Sequence, residues 1–291
     1  MRIDIITRNE ESWASLQLRR ALTKRGIAHK CFPFSKITAR VGYKPAASSI
    51  GENLDELDGL IIRPIGRGSL EEIIFRMDVL RRLESLGVYV LNPPSAIERC
   101  ADKYRILSLL EERGLPVPRT AVTENVDQAL HAFDELGGDV VVKPIFGSRG
   151  VGLTRVSDRE IAERVFKAIT FYRGVIYMQQ FISHGATDIR AFVIGDHVAA
   201  AMRRVADSWK TNVSQGARPV PLETDEVVEK IAVEAAKAVN CKVAGVDVIE
   251  GHDGYYVVEV NSQPGWRGLQ TVTKANIAEE IVDFLVSEIK G

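Results

Sequence analysis

The sequence predicts an α/β protein with more than one domain, and three observations lead to this fold class. Its 291 residues exceed the roughly 100–200 residues that usually share one hydrophobic core. The first hundred residues alternate β-branched runs with helical patterns, as in a parallel sheet with crossover helices. After Asp102 this alternation ends, and hairpin patterns follow. We therefore expect an open α/β domain followed by units richer in hairpins.

The first unit is predicted to contain a parallel sheet with two crossover helices. We expect strands over residues 3–7, 30–34, 60–63 and 88–91, and helices over residues 12–25 and 69–86. Ser12 can cap the first helix, and Gly26 can end it. Pro93 and Pro94 then close the unit, which predicts a first domain over residues 1–98.

Two further subdomains are expected, over residues 99–182 and 183–291. In the first, Asn125 can cap a helix that reaches Leu136, and a capping box from Ser157 to Glu160 can begin another. The second is predicted to contain two hairpins and two helices, with hairpins over residues 188–203 and 244–260 and helices over residues 225–239 and 276–288.

Composition argues against several classes of function. The 38 basic and 39 acidic residues give a net charge of −1, so no overall positive field favours nucleic acid. Cys31, Cys100 and Cys241 are far apart and odd in number, which argues against a disulfide framework and favours a reducing, cytoplasmic compartment. Because no stretch approaches about 18 uncharged apolar residues, neither a signal peptide nor a membrane span is expected.

A glycine-rich stretch follows the strand predicted over residues 140–143. Without Cβ atoms, Gly147, Gly150 and Gly152 let backbone N–H groups approach an anion such as phosphate. The stretch lies between two strands, so it is neither a Walker loop nor a Rossmann fingerprint, and a plain hairpin turn is the alternative. Lys143 favours phosphate, because a lysine ending an apolar strand needs a counter-ion unless it extends to solvent. Lys103 lies at the start of a predicted helix, and from the residues alone it is interpreted as a surface lysine.

Asp247, Glu259 and Asn261 form the clearest candidate site. Glu259 and Asn261 are two residues apart on a strand and therefore share a face. If the hairpin turn is centred on Asp253, Asp247 lies directly opposite Glu259. Two carboxylates and an amide oxygen among valines suit a magnesium ion held with ATP phosphates, whereas two solvent-facing acids are the alternative.

Basic side chains on the preceding hairpin provide a further group of candidates. Arg190, Arg203, Arg204 and Lys210 follow one another along this part of the chain. Strand alternation would direct some of them toward the acidic site, where guanidinium groups can hold carboxylates. A solvated basic strand is the competing interpretation.

Ordered motifs extend over roughly residues 90–290. They are Leu91-Asn-Pro-Pro, Ala101-Asp-Lys103, Val142-Lys143-Pro144, Gly147-Ser-Arg-Gly-Val-Gly152, Gln179-Gln180-Phe181-Ile182, Asp188-Ile-Arg-Ala-Phe-Val-Ile-Gly195, Ala201-Met-Arg-Arg204, Ala244-Gly-Val-Asp247 and Glu259-Val-Asn-Ser262 followed by Pro264-Gly265. Together these motifs resemble the ATP-grasp superfamily and, within it, the RimK-type α-L-glutamate ligases. This resemblance implies an ATP-grasp fold, in which two α+β subdomains grip ATP, preceded by an open α/β domain.

The resemblance also implies roles for individual residues around ATP. It implies that the ATP phosphates are contacted by Lys103, Lys143 and the loop residues Gly147, Ser148 and Gly150. Gln180 and Phe181 would lie beside adenine, Asp188 near the ribose, and Lys210 at the nucleotide. Asp247, Glu259 and Asn261 would be ligands of magnesium or manganese. Gln180 departs from the family pattern, in which this position is usually acidic, and the segment after Asn212 lacks the Arg-Gly-Gly-like stretch of many relatives.

The activity implied by the resemblance is carboxylate activation by ATP. The amine of L-glutamate would attack an acyl phosphate, with Lys143 neutralising phosphoryl charge and Arg190 and Arg203 holding substrate carboxylates and the oxyanion. The segment from Pro264 to Gln270 is most similar to ligases that add glutamate to a pterin coenzyme of the tetrahydromethanopterin type or to a deazaflavin coenzyme. A small carboxylate-bearing acceptor is therefore expected.

Two alternatives stay open. One is a ligase acting on a protein C-terminus, such as that of a ribosomal or amino-group carrier protein. The other is a nucleotide-binding module without ligase activity, which the presence of both lysines and all three metal-ligand candidates makes less favourable. Relatives of this type are often homo-oligomers, so a homo-oligomer is also expected.

Overall fold

The structure is a computed structural model that describes residues 1–147, 150–213 and 216–291. Its strands form four sheets, three of which carry packed helices. Among the described residues, no helix combines the length and apolar character that crossing a bilayer requires.

The amino-terminal domain contains an open parallel sheet, as predicted. Its elements are β1 (Ile3–Ile6), α1 (Trp13–Lys24), β2 (Cys31–Phe32), β3 (Ile37–Ala39), β4 (Ala47–Ser49), β5 (Glu52–Asn53), β6 (Gly59–Ile62), α2 (Leu70–Ser85) and β7 (Tyr89–Leu91). The strands are ordered β2-β1-β6-β7 and all pair in parallel. Ser12 caps α1, since its side chain accepts a hydrogen bond from the Ser15 amide.

A small antiparallel sheet of β3, β4 and β5 is a feature that we did not predict. Its strands are only two or three residues long, too short to show a clear hydrophobic alternation. Asp55 anchors the sheet, because its carboxylate accepts hydrogen bonds from the amides of Ala46 at 2.7 Å and Ala47 at 2.9 Å.

The central unit is an antiparallel sheet covered by two helices. Its elements are α3 (Pro94–Ala101), α4 (Lys103–Glu111), β8 (Thr120–Thr123), α5 (Val126–Glu135), β9 (Val140–Lys143), β10 (Thr154–Val156), α6 (Arg159–Phe171) and β11 (Ile176–Gln180). The strands are ordered β10-β9-β11-β8, and α5 and α6 pack on this sheet through a shared apolar cluster.

The start of one helix in this region differs from the sequence prediction. The helix α6 is capped by Asp158, whose carboxylate accepts from the Ile161 amide at 2.9 Å, and not by Ser157. Pro94 begins α3, where its missing N–H costs no hydrogen bond. The domain boundary near residue 98 stays a prediction, and α3 spans that position.

The carboxy-terminal unit is a five-stranded antiparallel sheet. Its elements are β12 (Thr187–Ile194), β13 (His197–Val205), β14 (Arg218–Pro221), α7 (Glu226–Ala238), β15 (Val243–Gly251), β16 (Gly254–Asn261), α8 (Arg267–Gln270) and α9 (Ile277–Lys290). The strands are ordered β14-β13-β12-β15-β16. One face packs against α4 and α7, while α9 packs against part of the other face and leaves the remainder for the candidate site.

Several contacts join the amino-terminal domain to the carboxy-terminal unit, among them an apolar cluster and a buried asparagine. Leu18 and Leu22 of α1 share an apolar cluster with Ile281 and Leu285 of α9. Separately, the Asn92 amide group, buried after β7, donates to the carbonyls of Val243 and Ser262 and accepts from the amides of Lys242 and Val243, at 2.5–2.9 Å. Asn92 thus binds the backbone at the start of β15 and just beyond β16.

Candidate active site

The candidate site lies on one face of the carboxy-terminal sheet, where β15 and β16 pair. Asp247 lies directly opposite Glu259, and Gly245 lies opposite Asn261. The predicted pairing of the two carboxyl-bearing residues is therefore confirmed.

This pairing is reached by a different route from the predicted one. Gly251 pairs with Gly254, so the turn consists of His252 and Asp253 and is not centred on Asp253. That turn alone would place Val258 opposite Asp247. A bulge in β16 leaves Val258 as the extra residue and moves the pairing on by one position.

Asp247 is buried and is held by two arginines. Arg190, its partner across β12 and β15, donates from Nε to Oδ1 and from Nη2 to Oδ2, the latter at 2.8 Å. Arg204 Nη2 lies 3.1 Å from Oδ1. Burial alone would raise the pKa of Asp247, but the charges of Arg190 and Arg204 outweigh it and lower that pKa. Because an ionised carboxylate offers about four lone-pair positions, three contacts leave Asp247 roughly one for a further ligand.

Asp188 belongs to the same buried network. Arg204 donates from Nε to its Oδ1 at 2.6 Å and also from Nη2 to Oδ2, and the Thr211 hydroxyl donates to Oδ2 at 2.6 Å. Burial raises the pKa of Asp188, and the charge of Arg204 opposes that rise. The carboxylate expected near the ribose is thus engaged with protein donors.

Glu259 is the acid whose oxygens are still available. Among the described residues its carboxylate has no hydrogen bond and no ion pair, although it is half-buried. Burial raises the pKa of Glu259, as does the charge of Asp247, while Lys103, Arg190 and Lys143 oppose this rise.

These oxygen donors fit a hard cation. The amide nitrogen of Asn261 faces the Gly245 carbonyl at 3.4 Å, which leaves Oδ1 of Asn261 to bind a ligand. Magnesium prefers oxygen ligands and keeps several positions for water or phosphate, so Glu259, Asn261 and the remaining position on Asp247 suit it. No cluster of three or more His, Cys, Asp or Glu side chains suited to a metal occurs in the described part of the chain, and the third donor here is an amide.

Two lysines face the acidic site from the central unit. Lys143, at the end of β9, donates to Gln179 Oε1 at 2.5 Å. Burial lowers its pKa to about 8, with Glu259 opposing and Lys103 adding to the decrease. Lys103, at the start of α4, donates to the carbonyls of Gly147 at 2.9 Å and Ile145 at 3.3 Å. Burial lowers the pKa of Lys103 too, and the Glu259 charge opposes it.

The glycine-rich stretch joins β9 to β10, as predicted, and approaches Lys103 closely. A Cβ on Gly147 would lie 2.9 Å from Pro144 Cγ and 4.0 Å from Lys103 Nζ. Gly150 has a φ of +73°, which side-chain-bearing residues rarely adopt. Ser148, the third loop residue predicted to contact phosphate, lies outside the described residues.

Gln180 and Phe181, the residues predicted to lie beside adenine, are found where β11 ends. The amides of Gln180 and Phe181 already donate to the backbone carbonyls of Arg119 and Asp139, which leaves their carbonyls and the Gln180 side chain for a ligand. Arg155 lies over the Phe181 ring at 3.5 Å. Lys210 lies beside Trp209, with its Nζ 5.3 Å from the ring centre.

The structure separates Arg203 from the other candidates. Adjacent residues on β13 face opposite sides of the sheet, so Arg203 points away from Arg204 and from the acidic site. Arg203 instead donates to Glu250 at 3.1 Å. The expectation that Arg203 holds a substrate carboxylate is corrected accordingly. Arg190 does lie at the site, but it binds Asp247.

Sequence reasoning gave no specific role to several residues that organise the site, although Arg204 was among the basic candidates. Gln179 positions Lys143, and Thr211 and Arg204 hold Asp188. Gly245 leaves space for Arg190, since a Cβ there would lie 2.8 Å from Arg190 Nη1. Aligning the predicted strands β12 and β13 as a hairpin could have indicated the role of Arg204, because Arg204 lies opposite Asp188.

Comparisons with known proteins cover the whole chain. A family model described as the RimK PreATP-grasp domain matches residues 1–97, and one described as the RimK-like ATP-grasp domain matches residues 100–285. The chain is 37% identical over 296 residues to tetrahydromethanopterin:alpha-L-glutamate ligase of Methanococcus maripaludis, covering 100% of this chain and 99% of the relative. It is 32% identical over 294 residues to a probable alpha-L-glutamate ligase of Rhodopirellula baltica, covering 99% and 72%.

Solved structures show the same fold at lower identity. The ATP-grasp ligase PsnB complexed with minimal precursor, Mg and ADP superposes with a TM-score of 0.78 at 22% identity, covering 100% of this chain and 98% of that one. The D-cycloserine synthetase DcsG gives a TM-score of 0.75 at 17% identity, covering 99% and 100%.

Proposed function

Because this chain belongs to the family of RimK-like ATP-grasp proteins, we propose that it joins L-glutamate to a carboxylate of a small, coenzyme-like acceptor at the expense of ATP. The ATP-grasp fold expected from the resemblance is confirmed, with a preceding PreATP-grasp domain. The chain is an ATP-dependent ligase that forms a C–N bond. Three relatives named tetrahydromethanopterin:alpha-L-glutamate ligase, at 34–37% identity, support this class of acceptor.

One observation carries the proposed site. Lys103 and Lys143 from the central unit lie close enough to Glu259 of the carboxy-terminal sheet for their charges to influence its pKa. Cations from one unit thus face oxygen donors from the other, and a nucleotide triphosphate with a divalent ion complements both groups.

The reaction places distinct demands on these residues. An acceptor carboxylate oxygen attacks the γ-phosphorus of ATP, and the bond from that phosphorus to the ADP oxygen breaks. The amine of glutamate then attacks the carbonyl carbon of the acyl phosphate, a proton leaves the nitrogen, and phosphate departs. Lys103 and Lys143 neutralise charge on the phosphoryl oxygens, and the stretch around Gly147 and Gly150 excludes water that would hydrolyse the acyl phosphate.

Magnesium is the cation that the donor set suits best, with manganese as the alternative. Glu259, Asn261 and Asp247 would hold it, and when bound it would neutralise phosphate charge. Arg190 and Arg204 keep Asp247 ionised and fix its orientation. The remaining assignments, Gln180 and Phe181 beside adenine, Asp188 near the ribose and Lys210 at the nucleotide, stay predictions, as do a homo-oligomer and a cytoplasmic location.

The test is glutamate transfer measured by mass spectrometry. The protein is incubated with ATP, Mg²⁺, L-glutamate and tetrahydromethanopterin, and we expect a product carrying an added glutamyl unit, with ADP release that requires both co-substrates. Glu259→Gln should lower turnover by about 100-fold because a charged ligand is lost. Glu250→Gln is the matched control on the same sheet, since Glu250 pairs with Arg203 away from the site.

Two results would contradict the proposal. ATP consumption that yields no glutamyl product with this acceptor would remove the proposed reaction. Equal turnover of Glu259→Gln and the wild-type protein would remove the metal assignment.

A further inference from the structure

The carboxyl edge of the amino-terminal sheet lies outside the proposed site and carries two arginines. The chain runs from β1 outward to β2 on one side and from β6 outward to β7 on the other, so the strand order reverses between β1 and β6. In open α/β sheets, ligands bind beyond the carboxyl ends of the strands at such a reversal. Arg8 follows β1 and Arg63 follows β6 directly, which places both at this point.

Arg63 carries a charge that the protein leaves uncompensated. Its side chain is half-buried, its Nη1 donates to the Pro264 carbonyl at 3.2 Å, and its guanidinium carbon lies 4.9 Å from the centre of the Trp266 ring. No carboxylate within the described ranges pairs with it, and the four residues outside them, at positions 148, 149, 214 and 215, are not acidic. Burial, with nothing opposing it, lowers the pKa of Arg63 to about 10. Keeping an unpaired cation out of water costs free energy, which an anionic ligand would offset.

The surroundings of Arg63 are basic and fixed in position. Arg8 is exposed and packs against Gly66, where an added Cβ would lie 2.8 Å from Arg8 Cδ. Arg76 donates to the carbonyls of Ile65 at 3.2 Å and Arg67 at 3.1 Å, which holds the segment after β6 in place. Within the described residues neither Arg8 nor Arg67 forms an ion pair, so this edge presents several uncompensated guanidinium groups.

This edge also lies next to the strand that carries the metal-ligand candidates. The Gln263 side chain donates to the Arg63 carbonyl and accepts from the Ile65 amide, both at 3.4 Å. Gln263 follows Asn261 by two residues, a separation of about 7 Å in an extended chain. A cavity beneath Arg63 has a volume of about 20 Å³, room for one water only, so a larger ligand must approach from the outer side.

We propose that Arg63, assisted by Arg8, binds an anionic group of the acceptor, a carboxylate or phosphate ester other than the carboxylate that reacts. A guanidinium group can hold either anion through two parallel hydrogen bonds. The inference rests on the proposed function, because it assigns the amino-terminal domain to acceptor recognition in that reaction. Arg8 and Arg63 belong to the amino-terminal domain, whereas Lys103 and Lys143, which we assign to the nucleotide, belong to the central unit. The two substrates would therefore be bound by different units.

The test compares Michaelis constants for the three substrates. For Arg63→Gln we expect the KM for tetrahydromethanopterin to rise by about 10- to 100-fold, with the KM values for ATP and glutamate within about twofold of wild type. Arg63→Lys should give an intermediate KM because it keeps the charge without the planar fork. Arg20→Gln, which removes an exposed arginine of α1, is the matched control and should change none of the three.

The measured Michaelis constants test the role of Arg63 separately from the proposed ligase function. An unchanged acceptor KM in Arg63→Gln, or a rise confined to the glutamate KM, would overturn the assignment of Arg63. If Arg63→Gln does not fold, the acceptor KM of Arg63→Lys and of Arg8→Gln decides in its place. Failure of the wild-type protein to form any glutamyl product would instead overturn the proposed function itself.

Discussion

At the scale of single residues, Lys143 holds its proton less firmly than an exposed lysine does. Its ammonium group is removed from water by the strands β9 and β11, and Lys103 places a second positive charge nearby. Glu259 supplies the opposing negative charge. The group can therefore exchange a proton within the range of pH that enzymes commonly experience.

This environment makes ATP binding dependent on pH. Lys143 is charged below its pKa of about 8 and neutral above it, so affinity for the phosphates should decrease as pH rises through 8, by up to about tenfold per unit. Calorimetric titration with an ATP analogue between about pH 6.5 and 9.5 measures this decrease. Lys143→Arg stays charged over this range and should show a flatter profile. Parallel profiles for the two proteins would refute the role of Lys143.

Residue identity in the site was partly predictable from the sequence. Lys143 and Glu259 stand out because a charged side chain on an apolar strand needs a partner or a ligand. Arg203 and Arg204 could not be separated, since adjacent strand residues face opposite ways and only the pairing with Asp188 shows which one faces the site.

At the scale of elements, the register of β15 and β16 depends on a compensation that the sequence does not reveal. The turn is one position from where we placed it, and the bulge at Val258 corrects the pairing by one residue. Bulges have no firm sequence signature. The extra residue here is Val258, an ordinary strand residue that nothing in the sequence marks as unpaired. The correct pairing of Asp247 with Glu259 was therefore obtained from an incorrect turn.

Gly245 is the element-scale position most sensitive to change. An added Cβ would lie 2.8 Å from Arg190 Nη1 and 2.9 Å from Pro264 Cβ, so Gly245→Ala should displace Arg190 from Asp247 and destabilise the fold by about 1–3 kcal/mol. Thermal unfolding and ATP turnover measure both effects. Gly265→Ala is the control, since no atom lies within 4 Å of its added Cβ. Equal melting temperatures for the two variants would contradict this packing argument.

At the scale of the whole molecule, Asn92 joins the amino-terminal domain to the carboxy-terminal sheet. Asn92→Ala removes four hydrogen bonds and leaves buried backbone groups at Val243 and Ser262 without partners, so we expect a loss of about 3 kcal/mol. Denaturant unfolding followed by tryptophan fluorescence measures the loss. Asn125→Ala, which removes an exposed helix cap, should cost about 1 kcal/mol. A smaller loss for Asn92→Ala than for Asn125→Ala would show that this joint is not important for stability.

The overall architecture was largely predictable, whereas the way its units join was not. Alternating strands and helices over the first hundred residues predicted the parallel sheet, and both carboxy-terminal hairpins were placed within a few residues. The four hydrogen bonds of Asn92 and the contact of α1 with α9 link residues far apart in the chain, and no local pattern encodes such partners.

The contact between α1 and α9 has a consequence during synthesis. Leu18 and Leu22 emerge from the ribosome early, but Ile281 and Leu285, which cover them, are translated more than 250 residues later. Throughout that interval the nascent chain displays an apolar strip that chaperones can bind. The apolar face of α1 is thus translated early but covered only after α9 has been made.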